Sequence, residues 1–171
     1  MNQLFNSDYA GARFDKTRTY RYVLWRKWKL GGQYCSFIML NPSTADEETL
    51  DPTCAKCATW ARSWRFDGFY VVNAFALRST DPAALKAAVK AGQNPIGASN
   101  DAAILGVAKD SKLIVVGWGT HATLLNRNQQ MRDLLADFHL HCVGINGDGS
   151  PEHPLYVRKA TLPKPWTHPE R

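Results

Sequence analysis

The chain has 171 residues and a net charge of +6, with 44% hydrophobic and 21% charged residues. That length suits one domain with a sizeable core, and the composition excludes a disordered chain. No apolar run approaches the ~20 residues of a membrane-crossing helix, and the first residues lack a basic stretch followed by an apolar one, so no membrane partner and a cytoplasmic setting are expected.

The basic excess gathers near the start, where Arg13, Lys16, Arg18, Arg21, Arg26, Lys27 and Lys29 face only Asp8 and Asp15. Such a cluster reads as a solvated face or as one that tracks phosphates. Cys54 and Cys57 have a metal-like spacing, but they fall inside a helical pattern and no second pair follows. With Cys35 and Cys142 they are expected to be reduced and structural, with no metal and no cofactor.

In chain order, residues 1–18 are polar and mixed, as in an irregular arm. Thr19–Trp28 is rich in aromatic and β-branched residues and reads as a strand. Gly31-Gly32 marks a turn before Tyr34–Leu40, so these two strands are expected to pair as an antiparallel hairpin. Phe37–Leu40 is apolar throughout, as in a strand buried on both faces. It runs into Asn41-Pro42-Ser43-Thr44-Ala45-Asp46. Pro42 lacks an N–H and disfavours helix at Asn41, so the strand ends there.

Asp51 and Pro52 open a helix that continues through Trp64. Phe69–Asn73 is a second buried strand. Asp81-Pro82 opens a helix over Ala83–Ala91, and Ser99-Asn100-Asp101 caps another over Ala102–Lys109. Leu113–Gly117 is a third buried strand, Arg127–Phe138 a helix, and His141–Ile145 a fourth strand. The proline-bearing stretch 157–171 reads as a wrapping coil. Strand and helix alternate, which gives a single α/β domain: a four-stranded parallel sheet flanked by helices, behind the N-terminal hairpin.

Ligands of such sheets bind at the carboxyl ends of the strands. That rim holds Asn41, Ser43, Asp46, Asn73, Arg78, Trp118, His121 and His153. An amide offers a donor and an acceptor to a base edge, an aromatic ring stacks on a base, and a histidine stabilises an anion or moves a proton. The set therefore suits a nucleobase. No glycine-rich dinucleotide motif, phosphate-binding lysine loop or Gly-x-Ser-x-Gly elbow occurs.

Met39–Asp46, Asp51-Pro52-Thr53, Asn73–Arg78, Trp118-Gly119 and Gly149–Tyr156 resemble a bacterial and phage family known as a domain of unknown function. More remotely, the order of motifs is similar to that of the uracil-DNA glycosylase superfamily, which removes a base flipped out of DNA. Asn41-Pro42 resembles that superfamily's first motif, whose acidic or amide residue places the attacking water. Val71-Val72-Asn73 resembles the strand whose Asn reads the pyrimidine edge. Trp118-Gly119-Thr120-His121-Ala122 resembles its third motif. His153-Pro154-Leu155 resembles the last, where the His steadies the departing base and the Leu wedges into the duplex; the Ser-Pro step between them is missing here.

The resemblance implies Asn41 and His153 as catalytic residues. It implies Pro42, Ser43, Asn73, Phe75, Arg78, Trp118, His121 and Leu155 as substrate-binding residues, and DNA or a nucleotide as partner. Two alternatives stay open. One is a non-catalytic nucleic-acid or nucleotide binding module. The other is a hydrolase or transferase acting on a free nucleoside or nucleotide. A DNA enzyme should carry basic residues at the rim, for which Arg78, Arg127 and Arg158 are the candidates.

Overall fold

A computed structural model describes residues 7–167. Its centre is a seven-stranded mixed sheet: β1 (Ala10–Phe14), β2 (Arg21–Lys27), β3 (Tyr34–Met39), β4 (Gly68–Asn73), β5 (Leu113–Val116), β6 (Leu140–Cys142) and β7 (Lys164–Pro165). The spatial order is β1-β2-β4-β3-β5-β6-β7. β4, β3, β5 and β6 run parallel to their neighbours in that series, while β1, β2 and β7 pair antiparallel at the two ends.

The helices are α1 (Pro52–Ser63), α2 (Ala83–Lys90), α3 (Asn100–Asp110) and α4 (Arg127–Leu134). Side-chain alternation on the strands divides the core in two. Cys35, Phe37 and Met39 of β3 pack with Trp60 and Ala61 of α1. Tyr34 and Ile38 face the other way, toward Leu85, Ile104 and Met131 of α2, α3 and α4. Because both faces are covered, β3 and β4 are buried at all twelve positions, six in each strand. That is why their sequences are apolar almost without interruption.

Four expectations are corrected. The sheet has seven strands, and the parallel series is a part of it. β2 does not pair with β3; it lies antiparallel to β4, with Leu24 opposite Val71 and Lys27 opposite Gly68. A strand buried on both faces gains most with ladder partners on both edges, and β3 finds them in β4 and β5. Gly68 permits the approach of β2, since a Cβ there would come within 2.7 Å of the Arg26 carbonyl oxygen. The hairpin partner of β2 is β1, so the expected arm is a strand over Ala10–Phe14. The expected coil after Tyr156 includes β7, which adds to β6. Residues 1–6 of that arm and 168–171 of that tail lie outside the described residues.

Helix α1 also fastens the C-terminal segment. Trp60 and Trp64, one turn apart, donate from Nε1 to the carbonyls of Lys159 at 2.7 Å and Thr161 at 3.3 Å. Lys56, a turn earlier, donates to the carbonyls of Pro154 at 2.8 Å and Val157. Charged donors to backbone carbonyls contribute roughly 1.5–3 kcal/mol each. Lys56→Met, which keeps the apolar stem, is expected to destabilise the fold by about that amount in urea unfolding. No helix among the described residues is long and apolar enough to cross a membrane.

Candidate functional site

Strand order turns back at β3: β4 lies on one side of it and β5 on the other. The loops leaving β3 and β5 therefore part, and a crevice opens between them at the carboxyl ends. A cavity of about 390 Å³ occupies that place. Asn41, Pro42 and Ser43 line it after β3, Asn73 at the end of β4, Trp118 and His121 after β5, and His153 and Leu155 from the last loop. Eight of the ten residues expected at the site thus share one cavity.

Two do not line it. Phe75 is fully buried in the core on the α3 side, and its N–H donates to the Leu40 carbonyl. Trp118, 1% exposed and edge-on to Trp166 at 5.4 Å, is the aromatic wall instead. Arg78 lies behind the Asn-Pro-Ser-Thr loop. It donates to the carbonyls of Ser43 and Arg18 and stacks over Phe14. Asp46, also placed at the rim, accepts from the N–H groups of Glu48 and Thr49 and closes a turn.

The loop after β3 is held by arginines. Arg21 donates to Ala45, Arg26 to Asp46 and Arg78 to Ser43, each at a backbone carbonyl. Arg18 pairs with Glu47 at 2.7 Å. A tight polar loop has few carbonyl partners of its own, and these guanidinium groups supply them. So Arg18, Arg21 and Arg26 of the N-terminal basic cluster brace this loop rather than form a solvated face. Asn41 donates from Nδ2 to the carbonyls of Ser79 at 3.0 Å and Pro42 at 3.2 Å. With Nδ2 spent on the backbone, Oδ1 is the atom Asn41 can offer a ligand.

Asn73 is 1% exposed, and neither its Oδ1 nor its Nδ2 has a partner. Its backbone is fixed: Asn100 donates from Nδ2 to the Asn73 carbonyl at 2.8 Å, and Asn100 and Arg127 both donate to the Ala74 carbonyl. A buried amide with no partner costs roughly 1–3 kcal/mol, and nothing in the packing of the strand end offsets it.

His153 sits on the loop Gly144–Leu155, which packs tightly on the end of β5. A Cβ on Gly117 would meet Pro154 at 2.8 Å, so only glycine lets the loop close. His153 Nδ1 accepts from the Leu155 N–H at 3.2 Å, which places the ring proton on Nε2. Burial pushes the imidazole down from 6.5 to about 4; Asp51 opposes this and Lys56 adds to it. The ring is therefore neutral at pH 7 and presents an N–H donor. The sign for stability follows from linkage. Below about pH 6.5 the unfolded chain binds a proton that the folded chain refuses, so this group withdraws at most about 3 kcal/mol as pH falls toward 4. His153→Gln is expected to reduce the difference in urea midpoint between pH 7 and pH 4.5.

Among the wall residues that were not expected at the site are Arg21, Asp51 and Tyr156. Asp51 was expected as a helix cap, and it is one: its Oδ1 accepts from the Cys54 N–H at 2.8 Å. Arg21 looked like one of many basic strand residues. All four cysteines are free and buried; burial pushes the Cys35 and Cys54 thiols up to about 12 and raises those of Cys57 and Cys142. They stay protonated. Cys35, Cys54 and Cys57 share the α1-side core and Cys142 lies in the other.

No curated protein and no solved structure matches the chain. A family model described as a protein of unknown function (DUF1643) matches residues 21–155, a span that runs from β2 to Leu155 and takes in every cavity-wall residue except Tyr156, and the chain belongs to that family.

Proposed function

We propose that the cavity binds a nucleobase and that the protein hydrolyses the N-glycosidic bond of that base, as the uracil-DNA glycosylases do whose motifs it resembles. One observation carries this reading. The Asn73 amide, a donor beside an acceptor, is buried without partners in the wall that also holds Asn41 and His153. A base edge presents the complementary pair. Trp118 supplies an aromatic surface beside it.

The other two residues fit the demands of the reaction. Bond cleavage leaves an oxocarbenium-like sugar and sends the bonding electron pair to the base. The Nε2–H of neutral His153 donates to the base atom that gains charge. Asn41 Oδ1 accepts from a water and orients it at the anomeric carbon. The water oxygen adds to that carbon, its proton passes to solvent, and the departing base takes one up.

A free nucleoside or nucleotide as substrate has its own support. Of the three basic residues expected to meet DNA, Arg127 is 1% exposed and paired with Asp101, and Arg78 is bonded to the loop after β3. Arg158 alone of the three is exposed. The test is a base-release assay on duplex and single-stranded oligonucleotides with a panel of modified and mismatched bases, and on the matching nucleosides and nucleotides. Wild type should free a base from one substrate class, and Asn41→Ala should do so far more slowly. Binding without release of any base would make the protein a binding module.

A further inference from the structure

Among the described residues two arginines are almost wholly buried, and they differ. Arg127 is 1% exposed and has a carboxylate partner in Asp101. Arg21 is 1% exposed and has none: among the described residues the ion pairs are Arg18–Glu47 and Arg127–Asp101. Arg21 Nη1 donates to the Ala45 carbonyl at 2.9 Å, while Nε is buried without a partner. An unpaired buried charge is among the most expensive features a fold can hold. Arg21 is not remote from the site; it is part of the cavity wall.

The N-terminus of α1 meets the same cavity. Asp51, Pro52, Thr53 and Cys54 all line it. The 12 residues of α1 direct the positive end of the helix dipole there. One carboxylate, Asp51, shares this wall and opposes an anion. Its Oδ1 is already engaged with the Cys54 N–H. Behind the wall, Arg18, Arg26 and Arg78 face Asp46 and Glu47, so the surroundings keep a cationic excess.

We infer that this part of the cavity holds a phosphate, seated against Arg21 and the start of α1, and that the ligand is a nucleotide carrying its own phosphate rather than a bare nucleoside. The inference rests on the nucleobase reading only for the word nucleotide; the anion subsite stands on Arg21. A guanidinium matches phosphate oxygens with paired hydrogen bonds, and a phosphate brings the counter-charge that Arg21 lacks. A cavity of about 390 Å³ also leaves room beyond a base alone. A phosphate monoester of a free nucleotide can end within the cavity, whereas a phosphodiester must lead the strand out on both sides.

The experiment is calorimetric titration of wild type, Arg21→Gln and Arg21→Lys with a nucleoside, its 5′-monophosphate, ribose 5-phosphate and a dinucleotide of the same base. The monophosphate should bind wild type at least about tenfold more tightly than the nucleoside, and this ratio should approach one in Arg21→Gln and recover in part in Arg21→Lys. Equal affinities, or a ratio that survives in Arg21→Gln, would overturn the subsite. Tighter binding of the dinucleotide than of the monophosphate would overturn the free-nucleotide assignment. If Arg21→Gln fails to fold for want of its bond to Ala45, wild type decides: the monophosphate's advantage should shrink between about 0.05 M and 0.5 M salt, and an advantage indifferent to salt contradicts it. The base reading fails separately. Ribose 5-phosphate binding as tightly as the nucleotide would leave the phosphate subsite standing without a base site.

Discussion

His153→Ala is expected to lower base release by about 10²–10³-fold, equivalent to roughly 3–4 kcal/mol, while base affinity changes far less. The reason lies in where the charge appears. The ring is neutral, with Nδ1 turned to the Leu155 N–H and Nε2–H free to donate. A donor aimed at a base that becomes anionic contributes mainly in the transition state, so its loss is read in turnover. His153→Gln, whose amide can also donate, should recover part of the rate. Because burial holds the imidazole at about 4, the rate should not fall as pH rises from 5.5 to 8 through loss of an imidazolium proton. A rate that needs protonated His153 would show an acid optimum.

The second large effect is at Asn73. Replacing it with Leu removes two buried polar atoms that have no partners. The fold is therefore expected to become more stable, by about 1–3 kcal/mol, which for a chain of this size raises Tm by roughly 2–4 °C per kcal/mol. The same variant should lose discrimination between bases, because the edge of a bound base then meets carbon. Gain of stability with loss of recognition is the signature of a residue kept for a ligand. A fall in Tm on Asn73→Leu, measured by calorimetry, would mean that the amide is satisfied within the protein and serves packing.

Much of this was legible in the chain. The apolar runs of β3, β4 and β5 could only be strands covered on both sides, and the polar residues that end them had to meet at one rim. Asn41, Asn73 and His153 were found in that way, and they line one cavity. Pairing was less legible. Gly31-Gly32 suggested a hairpin of β2 with β3, but a turn signal fixes only local direction. The neighbour of β2 was set by the demand of β3 for two parallel partners. The local sequence of β1, Ala-Gly-Ala-Arg-Phe, has little strand preference, and it becomes a strand because β2 offers an unpaired edge.

The fourth parallel strand shows the same limit. Only Leu140–Cys142 joins the sheet, since the Gly144 carbonyl instead accepts from the Glu152 N–H and the Asn146 N–H donates to the Ser150 carbonyl, which sets Ile145 opposite Pro151 across the last loop. Phe75 was chosen as a stacking ring by its motif, yet two residues beyond the strand end its side chain turns into the core. Arg21 could not be singled out among the seven basic residues of its cluster in sequence. Burial distinguishes it, and burial of a β-strand arginine depends on which loop folds over it.

The most direct measurement is side-chain amide NMR of ¹⁵N-labelled protein titrated with free nucleobases, with the Asn73 Nδ2 pair assigned by its disappearance in Asn73→Leu. One base should shift that pair strongly and saturably, and the perturbed Trp118 indole signal should titrate with the same Kd. An Asn73 amide that stays unmoved while a base binds elsewhere, or while no base binds at all, would contradict the assignment of this cavity to a nucleobase.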